Sequence, residues 1–138
     1  MSLKKRRIIF ICTKSITINV FLKSMINDFK NDYNILLCSS DIAKNKDSSV
    51  KKLKIFFPSK GSEFLNFKRI ITSIFQLNKL VNSNPKDIIF CHTPVASHFV
   101  RIATFFKKPK IIYFVHGFRF NDARKSLFNN FFKFVELI

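Results

Sequence analysis

The sequence predicts an α/β fold in which helices cover a mainly parallel β-sheet. Three features support this prediction. Short apolar runs rich in β-branched residues alternate along the chain with longer segments whose apolar residues recur every three or four positions. The apolar runs are continuous rather than alternating, which is typical of strands buried on both faces. The segments between them are long enough for helical crossovers, which join parallel strands.

Length and composition set limits on this fold. The chain has 138 residues, of which 47% are hydrophobic, and this suits one domain with one core. No apolar stretch approaches the roughly 18 residues that a membrane-spanning helix requires. Two glycines are too few for a Walker loop or a dinucleotide-binding fingerprint.

The charge is strongly basic. Lys and Arg number 25 against 8 Asp and Glu, a formal net charge of +17. One interpretation is compositional bias, because Lys, Asn, Ile and Phe are all abundant. The other is attraction to an anionic partner, such as nucleic acid, a membrane leaflet or a phosphorylated substrate.

The first half of the chain contains three predicted strands and one predicted helix. Residues 8–12 form the first strand; the basic segment before them resembles a signal peptide, but the apolar run is too short for one. The next strands are residues 33–38 and 54–57, and the polar segment 41–52 predicts a surface loop. The helix between the first two strands is indicated by one apolar stripe: Ile18, Phe21, Leu22, Met25, Ile26 and Phe29.

The second half continues the alternation. Residues 66–82 predict a helix, residues 87–91 a fourth strand, and residues 111–115 a fifth strand. A helix beginning at Pro94 separates these two strands, because proline is favoured in a first helical turn. The apolar stripe of the helix over residues 66–82 is Phe67, Ile70, Ile71, Ile74 and Val81. The stripe of the helix that begins at Pro94 is Val95, Phe99, Ile102, Ala103 and Phe106. A last stripe predicts a further helix, and the chain ends within it: Leu127, Phe128, Phe131, Phe132 and Val135.

Parallel sheets bind ligands at the carboxyl ends of their strands, and three connections lie there: residues 13–16, 92–94 and 116–120. His92 and His116 each follow a strand directly, where a histidine can donate to a phosphate or exchange a proton. Gly117 would let a ligand approach the backbone closely. The alternative for both histidines is a loop residue that caps a helix.

Several further residues have weaker claims to a function. Arg119, Arg124 and Lys125 suit phosphate recognition, or are the solvated start of a helix. Asp122 lies near the same turn, and His98 is expected to pack or to face solvent. Cys12, Cys38 and Cys91 lack zinc-site and disulfide spacing, so we expect buried, reduced thiols of a cytosolic protein and no metal site.

Two segments carry a specific resemblance. Residues 85–97, PKDIIFCHTPVAS, resemble the "PDIIHCHTP" segment of bacterial family 4 glycosyltransferases. Residues 111–120, IIYFVHGFRF, resemble their "VIYTAHGFHF" segment at a matching separation, and residues 134–136 are similar to the family's "YPIEK" stretch. Arg119 stands where the family often has histidine, and residues 13–15 lack the glycines common at that loop.

This resemblance implies the GT-B fold, in which two Rossmann-like domains enclose the reaction cleft. Residues 1–138 resemble the N-terminal, acceptor-side domain alone. The donor-binding domain with its E-x7-E motif would then be absent, in a truncated or split enzyme. The resemblance also implies a Rossmann-like parallel sheet with helices on both faces.

The implied reaction is retaining transfer of a sugar from a nucleotide-sugar to a lipid-linked or saccharide acceptor, in capsule or lipopolysaccharide synthesis. No metal or other cofactor is expected. By the resemblance His116 is catalytic, Gly117 and Arg119 lie near the donor phosphate, and the acceptor side holds His92, Thr93, Thr13 and Ser15.

The implied partners are the nucleotide-sugar, the acceptor, an anionic membrane surface and a separately encoded C-terminal half. The expected location is the cytoplasm, on the inner face of the membrane. Two alternatives stay open: a non-catalytic truncated or split product, and a basic nucleic-acid-binding module.

Overall fold

The structure, a computed structural model, describes residues 5–105 and 109–114. It contains five strands: β1 (Arg7–Ile11), β2 (Asn34–Ser39), β3 (Lys51–Lys54), β4 (Ile88–Cys91) and β5 (Lys110–Tyr113). The helices are α1 (Ser15–Thr17), α2 (Lys23–Phe29), α3 (Phe67–Asn82) and α4 (Pro94–Ala103). A π-helical segment, Ile18–Leu22, joins α1 to α2, and we call these three parts together the first helix. Short 3-10 turns occupy Ile42–Lys44 and Gly61–Leu65.

The five strands form one sheet in the order β3-β2-β1-β4-β5, and every neighbouring pair is parallel. The predicted parallel α/β sheet is therefore confirmed. The chain moves outward from β1 to β3, returns to the other side of β1 and continues to β5. The order reverses between β1 and β4, and sheets of this kind bind ligands in a crevice at the carboxyl ends of the two strands on either side of such a reversal.

Helices cover both faces of the sheet because the central strands present apolar side chains to both. In β1, Ile9 and Ile11 point to the face packed by α3 and α4. Ile8 and Phe10 point to the opposite face, against which the first helix packs. The buried residues that the first helix contributes are Ile18, Leu22 and Ile26. This two-sided packing is the Rossmann-like arrangement predicted above.

The third strand does not lie where the apolar pattern predicts it. It spans Lys51–Lys54 rather than residues 54–57, and it takes up part of the predicted loop 41–52. All four of its side chains are exposed, because β3 is an edge strand whose position depends on backbone pairing with β2. The apolar residues Ile55 and Phe57 follow the strand and are fully buried.

The helical stripes are correct in part. In α3 the buried residues are Ser73, Leu77 and Val81, whereas Phe67 and Ile71 are 69% and 53% exposed. Predicted core residues Phe21 and Ile102 are exposed in the same way. Phe106, Val115 and the predicted last helix lie outside the described residues. Among the described residues, no helix has the length and apolarity needed to cross a membrane.

Candidate functional site

The loops that follow β1 and β4 are joined by two threonines at the crevice. The backbone N–H of Thr13 donates to Thr93 Oγ1 at 3.1 Å, and the two Oγ1 atoms lie 2.6 Å apart. Thr93 also occupies the N-cap position of α4, yet its hydroxyl makes no capping bond to that helix. The hydroxyl that would ordinarily cap α4 is therefore used to connect two strand ends. The sequence places both residues at this edge, and the structure brings them into contact.

Ser15 is connected to a third strand end. Its backbone N–H, at the start of the first helix, donates to Asp41 Oδ1 at 2.7 Å, and Asp41 lies just beyond β2. Burial alone would raise the pKa of Asp41, but the hydrogen bonds from Ser15 and the nearby Lys14 charge outweigh it and leave the pKa lowered. Sequence reasoning did not select Asp41 for this role. Its position two residues after the buried run of β2 was the available signal.

His92 occupies the end of β4, but its ring lies within an aromatic cluster. The side chain stacks on Phe10 and Phe114, each at a centroid distance of 5.6 Å, and on Phe90 at 6.1 Å. The residue is 2% exposed. A direct contact between this ring and a ligand would therefore require the cluster to open.

The remaining predicted site residues lie outside the described part of the chain: His116, Gly117, Arg119, Asp122, Arg124 and Lys125. The structure follows the chain up to them. The backbone N–H of Phe114 donates to the carbonyl oxygen of Cys91 at 2.8 Å, which continues the β4–β5 pairing beyond the last residue of β5. The described part of the chain thus ends at the carboxyl edge of the sheet. His98, on α4, is half-buried.

The three cysteines are buried and none forms a disulfide. Burial is the main cause that raises the pKa of Cys38 and of Cys91 to about 12, and it raises the pKa of Cys12 still further. All three are neutral thiols at physiological pH and are poor nucleophiles. Within the described ranges, no three His, Cys, Asp or Glu residues are grouped as a metal site would require.

Comparison with known proteins identifies the family. The glycosyl transferase 4-like family matches residues 7–136, which is nearly the whole chain. The chain belongs to the glycosyl transferase 4-like family. The resemblance seen in residues 85–97 and 111–120 is therefore confirmed at the level of the family. No curated protein sequence matches the chain.

Two solved structures share its fold. The calicheamicin glycosyltransferase CalG4 superimposes with a TM-score of 0.54 at 14% identity, over 95% of this chain and 37% of CalG4. The C-terminal domain of a hydrogenase from Pyrococcus furiosus superimposes with a TM-score of 0.54 at 11% identity, over 83% of this chain and 95% of that domain. At these identities the likeness concerns the fold alone. This family member therefore has an α/β Rossmann-like sheet and spans little more than a third of the CalG4 chain.

Proposed function

We propose that the chain is the acceptor-side domain of a retaining GT-B glycosyltransferase. It would transfer a sugar from a nucleotide-sugar to a lipid-linked or saccharide acceptor during synthesis of a surface polysaccharide. The observation that carries this proposal is the family match over residues 7–136. Because the chain corresponds to 37% of CalG4, the transfer would need a second domain to bind the donor.

Within this proposal, the Thr13–Thr93 pair binds a hydroxyl of the acceptor. The two threonines have two hydroxyl protons, and the bond between their oxygens uses one of them. One O–H is left to donate to a ligand, whichever threonine provides it. Thr93 is the more accessible of the two, because Thr13 is only 4% exposed. Ser15 and His92 would support this side, Ser15 through the start of the first helix and His92 through the packing of the β4 end.

The donor side of the proposal rests on residues after Phe114. His116 would lie against the transferred sugar, and Gly117 would allow close approach of the backbone. Arg119 would meet the negative charge that develops on the leaving diphosphate. No cofactor or metal is assigned to the reaction.

An exposed apolar surface supports docking on a membrane that carries a lipid-linked acceptor. Phe67, Ile71 and Phe75 follow one another at four-residue spacing in α3, and each is more than half exposed. Phe64 and Leu65, just before the helix, are 45% and 74% exposed. We call these five residues the α3 apolar surface. Such a surface favours burial in the interface of a bilayer.

The charges around the α3 apolar surface suit an anionic bilayer. Lys60, Lys68 and Arg69 lie within the same segment. Glu63, its one acidic residue, accepts hydrogen bonds from the backbone N–H of Ser59 and of Lys60. Each basic residue near an anionic leaflet contributes about 1 kcal/mol to binding. The proposal therefore locates the domain on the inner face of the cytoplasmic membrane.

Membrane docking is tested with liposomes that contain anionic lipid. Leu65→Ser combined with Phe67→Ser should lower partitioning at least about tenfold, because each buried side chain contributes roughly 1.5–3 kcal/mol. The matched control is Val20→Ser with Phe21→Ser, which removes two side chains that are also more than half exposed, from the opposite face of the sheet. Equal losses for both variants would argue against the α3 apolar surface. Salt-sensitive binding to unrelated DNA without liposome binding would favour a nucleic-acid module instead.

The catalytic proposal is tested by transfer assays with the chain alone and with a family donor-binding domain added. We expect no transfer by the chain alone and transfer when both parts are present. A downstream reading frame that encodes an E-x7-E motif would identify the natural second part. Transfer by the chain alone would contradict the need for a second domain. Absence of transfer with every donor-binding part would favour a non-catalytic product.

A further inference from the structure

A cleft on the first-helix face of the sheet is separate from the Thr13–Thr93 pair. Its volume is about 520 Å³, within the usual range for small-molecule sites. One wall belongs to the first helix and the other to the segment between β2 and β3. Ile18, Ile26 and Leu37 lie beneath the cleft and are all at most 3% exposed, so a ligand would contact the side chains of the two walls rather than these residues. None of the described residues that line the cleft belongs to the loops after β1 and β4.

The rim of this cleft is positively charged. Lys23 comes from the first helix, and Lys44 and Lys46 come from the facing segment. Asp47 is the one acidic residue among the described residues of the lining, which gives these a formal charge of +2; Lys44 Nζ also lies 3.9 Å from Asp41 Oδ2, beside the cleft. Ser49 donates to Asp47 Oδ1 through both its N–H and its hydroxyl, which lowers the pKa of Asp47 and turns that oxygen toward its own loop. The lysines therefore dominate the field at the mouth.

The two walls are held in a fixed relation by a buried amide. Asn45 is 7% exposed, and its Nδ2 donates to Asn19 Oδ1 at 2.8 Å across the cleft. Its Oδ1 accepts the backbone N–H of Asp47 at 3.1 Å, and its carbonyl oxygen accepts Lys52 Nζ at 2.7 Å. Asn19 uses its oxygen in this bond, so its amino group remains a donor for a ligand. The site is built before a ligand arrives, which lowers the cost of binding.

The backbone also departs from a regular helix at this wall. Ile18 and Asn19 lie in the π-helical segment, and such segments occur frequently at functional sites. The cleft thus combines one amide donor with the ammonium groups and aliphatic stems of three exposed lysines. A purely apolar ligand would leave the polar groups unused, and a bare anion would leave the amide donor and the lysine stems unused.

We propose that this cleft binds a small anionic saccharide. The ring would lie against the aliphatic stems of the lysines, Asn19 would donate to a ring hydroxyl, and the lysine ammonium groups would neutralise a phosphate or a carboxylate. Lysine serves phosphate as a point charge and does not require the planar geometry of a carboxylate, so both groups fit this rim. Binding at this cleft does not depend on whether the chain takes part in sugar transfer.

The proposal is tested by calorimetric or NMR titration of the full chain with four probes: glucose 6-phosphate, glucuronate, glucose and inorganic phosphate. We expect saturable binding of at least one of the two anionic sugars, and the stronger of them identifies the anion. Glucose and inorganic phosphate should each bind at least about tenfold more weakly than the preferred sugar, since each lacks one set of contacts. Inorganic phosphate binding as tightly as glucose 6-phosphate, together with no glucuronate binding, would overturn the assignment to a saccharide.

Charge variants locate the binding. Lys23→Gln with Lys46→Gln should weaken it about tenfold or more, whereas Lys86→Gln with Lys110→Gln, the same charge change at the amino ends of β4 and β5, should leave it unchanged. Asn19→Asp keeps the acceptor for Asn45 but replaces the amide donor with a negative charge, and it should weaken binding with little risk to folding. Equal effects of the two lysine pairs, no effect of Asn19→Asp, or displacement of the sugar by a short DNA duplex would each overturn the proposal.

Discussion

Strands β1 and β4 are fastened together at both ends, but by different chemistry. At the amino end, Arg7 Nε donates to Asp87 Oδ2 at 2.9 Å, and the side chain of Asp87 is fully buried. Asn84 Nδ2 donates to the other oxygen of Asp87 at 2.9 Å, and Arg7 also donates to Ser83 Oγ at 2.7 Å. Both carboxylate oxygens are thus used within the protein.

At the carboxyl end the same two strands are joined by the neutral Thr13–Thr93 pair, whose mutual bond uses only one of its two hydroxyl protons. The Arg7–Asp87 ion pair has both carboxylate oxygens occupied and so offers a ligand little, whereas the threonine pair still has one hydroxyl donor. The amino end is therefore structural, and we propose that the carboxyl end binds a ligand. Changes at the amino end should reduce stability, and changes at the carboxyl end should reduce function more than stability.

The largest effect is expected from Arg7→Ala. It would leave the buried carboxylate of Asp87 without its cation, and breaking such a pair costs about 3–5 kcal/mol. Urea denaturation followed by circular dichroism measures the loss. Asp87→Asn, which removes the buried charge while keeping an acceptor, should cost less than Arg7→Ala. The reverse order would show that the buried charge is not what makes the amino end sensitive.

The next largest effect on stability is expected at alkaline pH. Two buried cysteines lie near the carboxyl end of the sheet: Cys91 is the last residue of β4, and Cys38 pairs with Ile11, the last residue of β1. Burial raises the pKa of both thiols from 9.0 to about 12, so the folded state keeps protons that the unfolded chain has lost. Stability is therefore fully present below about pH 9 and falls as the pH rises from 9 toward 12, by at most about 1.4 kcal/mol per pH unit for each thiol.

This pH dependence is measured as unfolding free energy between pH 8 and pH 10.5. In the Cys38→Ala/Cys91→Ala variant the slope should become shallower, even though the variant is less stable at every pH. An unchanged slope would assign the alkaline loss to other groups.

A smaller stability effect is expected from Thr93→Val. The substitution keeps the shape of the side chain but removes the acceptor for the Thr13 N–H, at a cost of about 1 kcal/mol. Acceptor-dependent transfer by the completed enzyme should fall more steeply than stability, and Thr93→Ser should preserve both. A variant that lost stability but retained full transfer would place the acceptor elsewhere.

The smallest effect is expected from Asp41→Ala, which removes the carboxylate that receives the Ser15 N–H. Loss of such a contact at a helix start costs about 0.5–1 kcal/mol. Because the folded-state pKa of Asp41 is lowered, its contribution is present above the ordinary carboxyl range near pH 4 and is lost as the pH falls below it. Wild type and variant should therefore converge in stability at pH 2–3. A constant difference would assign the effect to packing.

The sequence predicted the central strands because their apolar runs are long and are buried on both sides. It misplaced β3 because an edge strand with four exposed side chains has no apolar pattern, and its position comes from backbone pairing alone. The apolar stripe predicted for α3 is partly wrong for the opposite reason: Phe67 and Ile71 are apolar but do not face the core. An apolar pattern therefore predicts buried positions correctly only where the apolar residues pack in the core.

The candidate site was predictable in position but not in contacts. Thr13 and Thr93 were located because parallel strands end at one edge, a rule that requires no knowledge of strand order. Their hydrogen bond depends on β1 and β4 being neighbours, which the sequence does not state. Asp41 and Asn45 each contact a residue 26 positions earlier, so no local motif marks them.

The exposed edge of the described sheet has a consequence for the behaviour of the protein in solution. An unpaired edge strand is a template on which another copy can add its own strand. Here that edge reads Lys-Lys-Leu-Lys, so each copy would bring three positive charges in four residues to an edge-to-edge contact. Part of the large positive charge therefore protects against aggregation, a use that needs no ligand, membrane or nucleic acid.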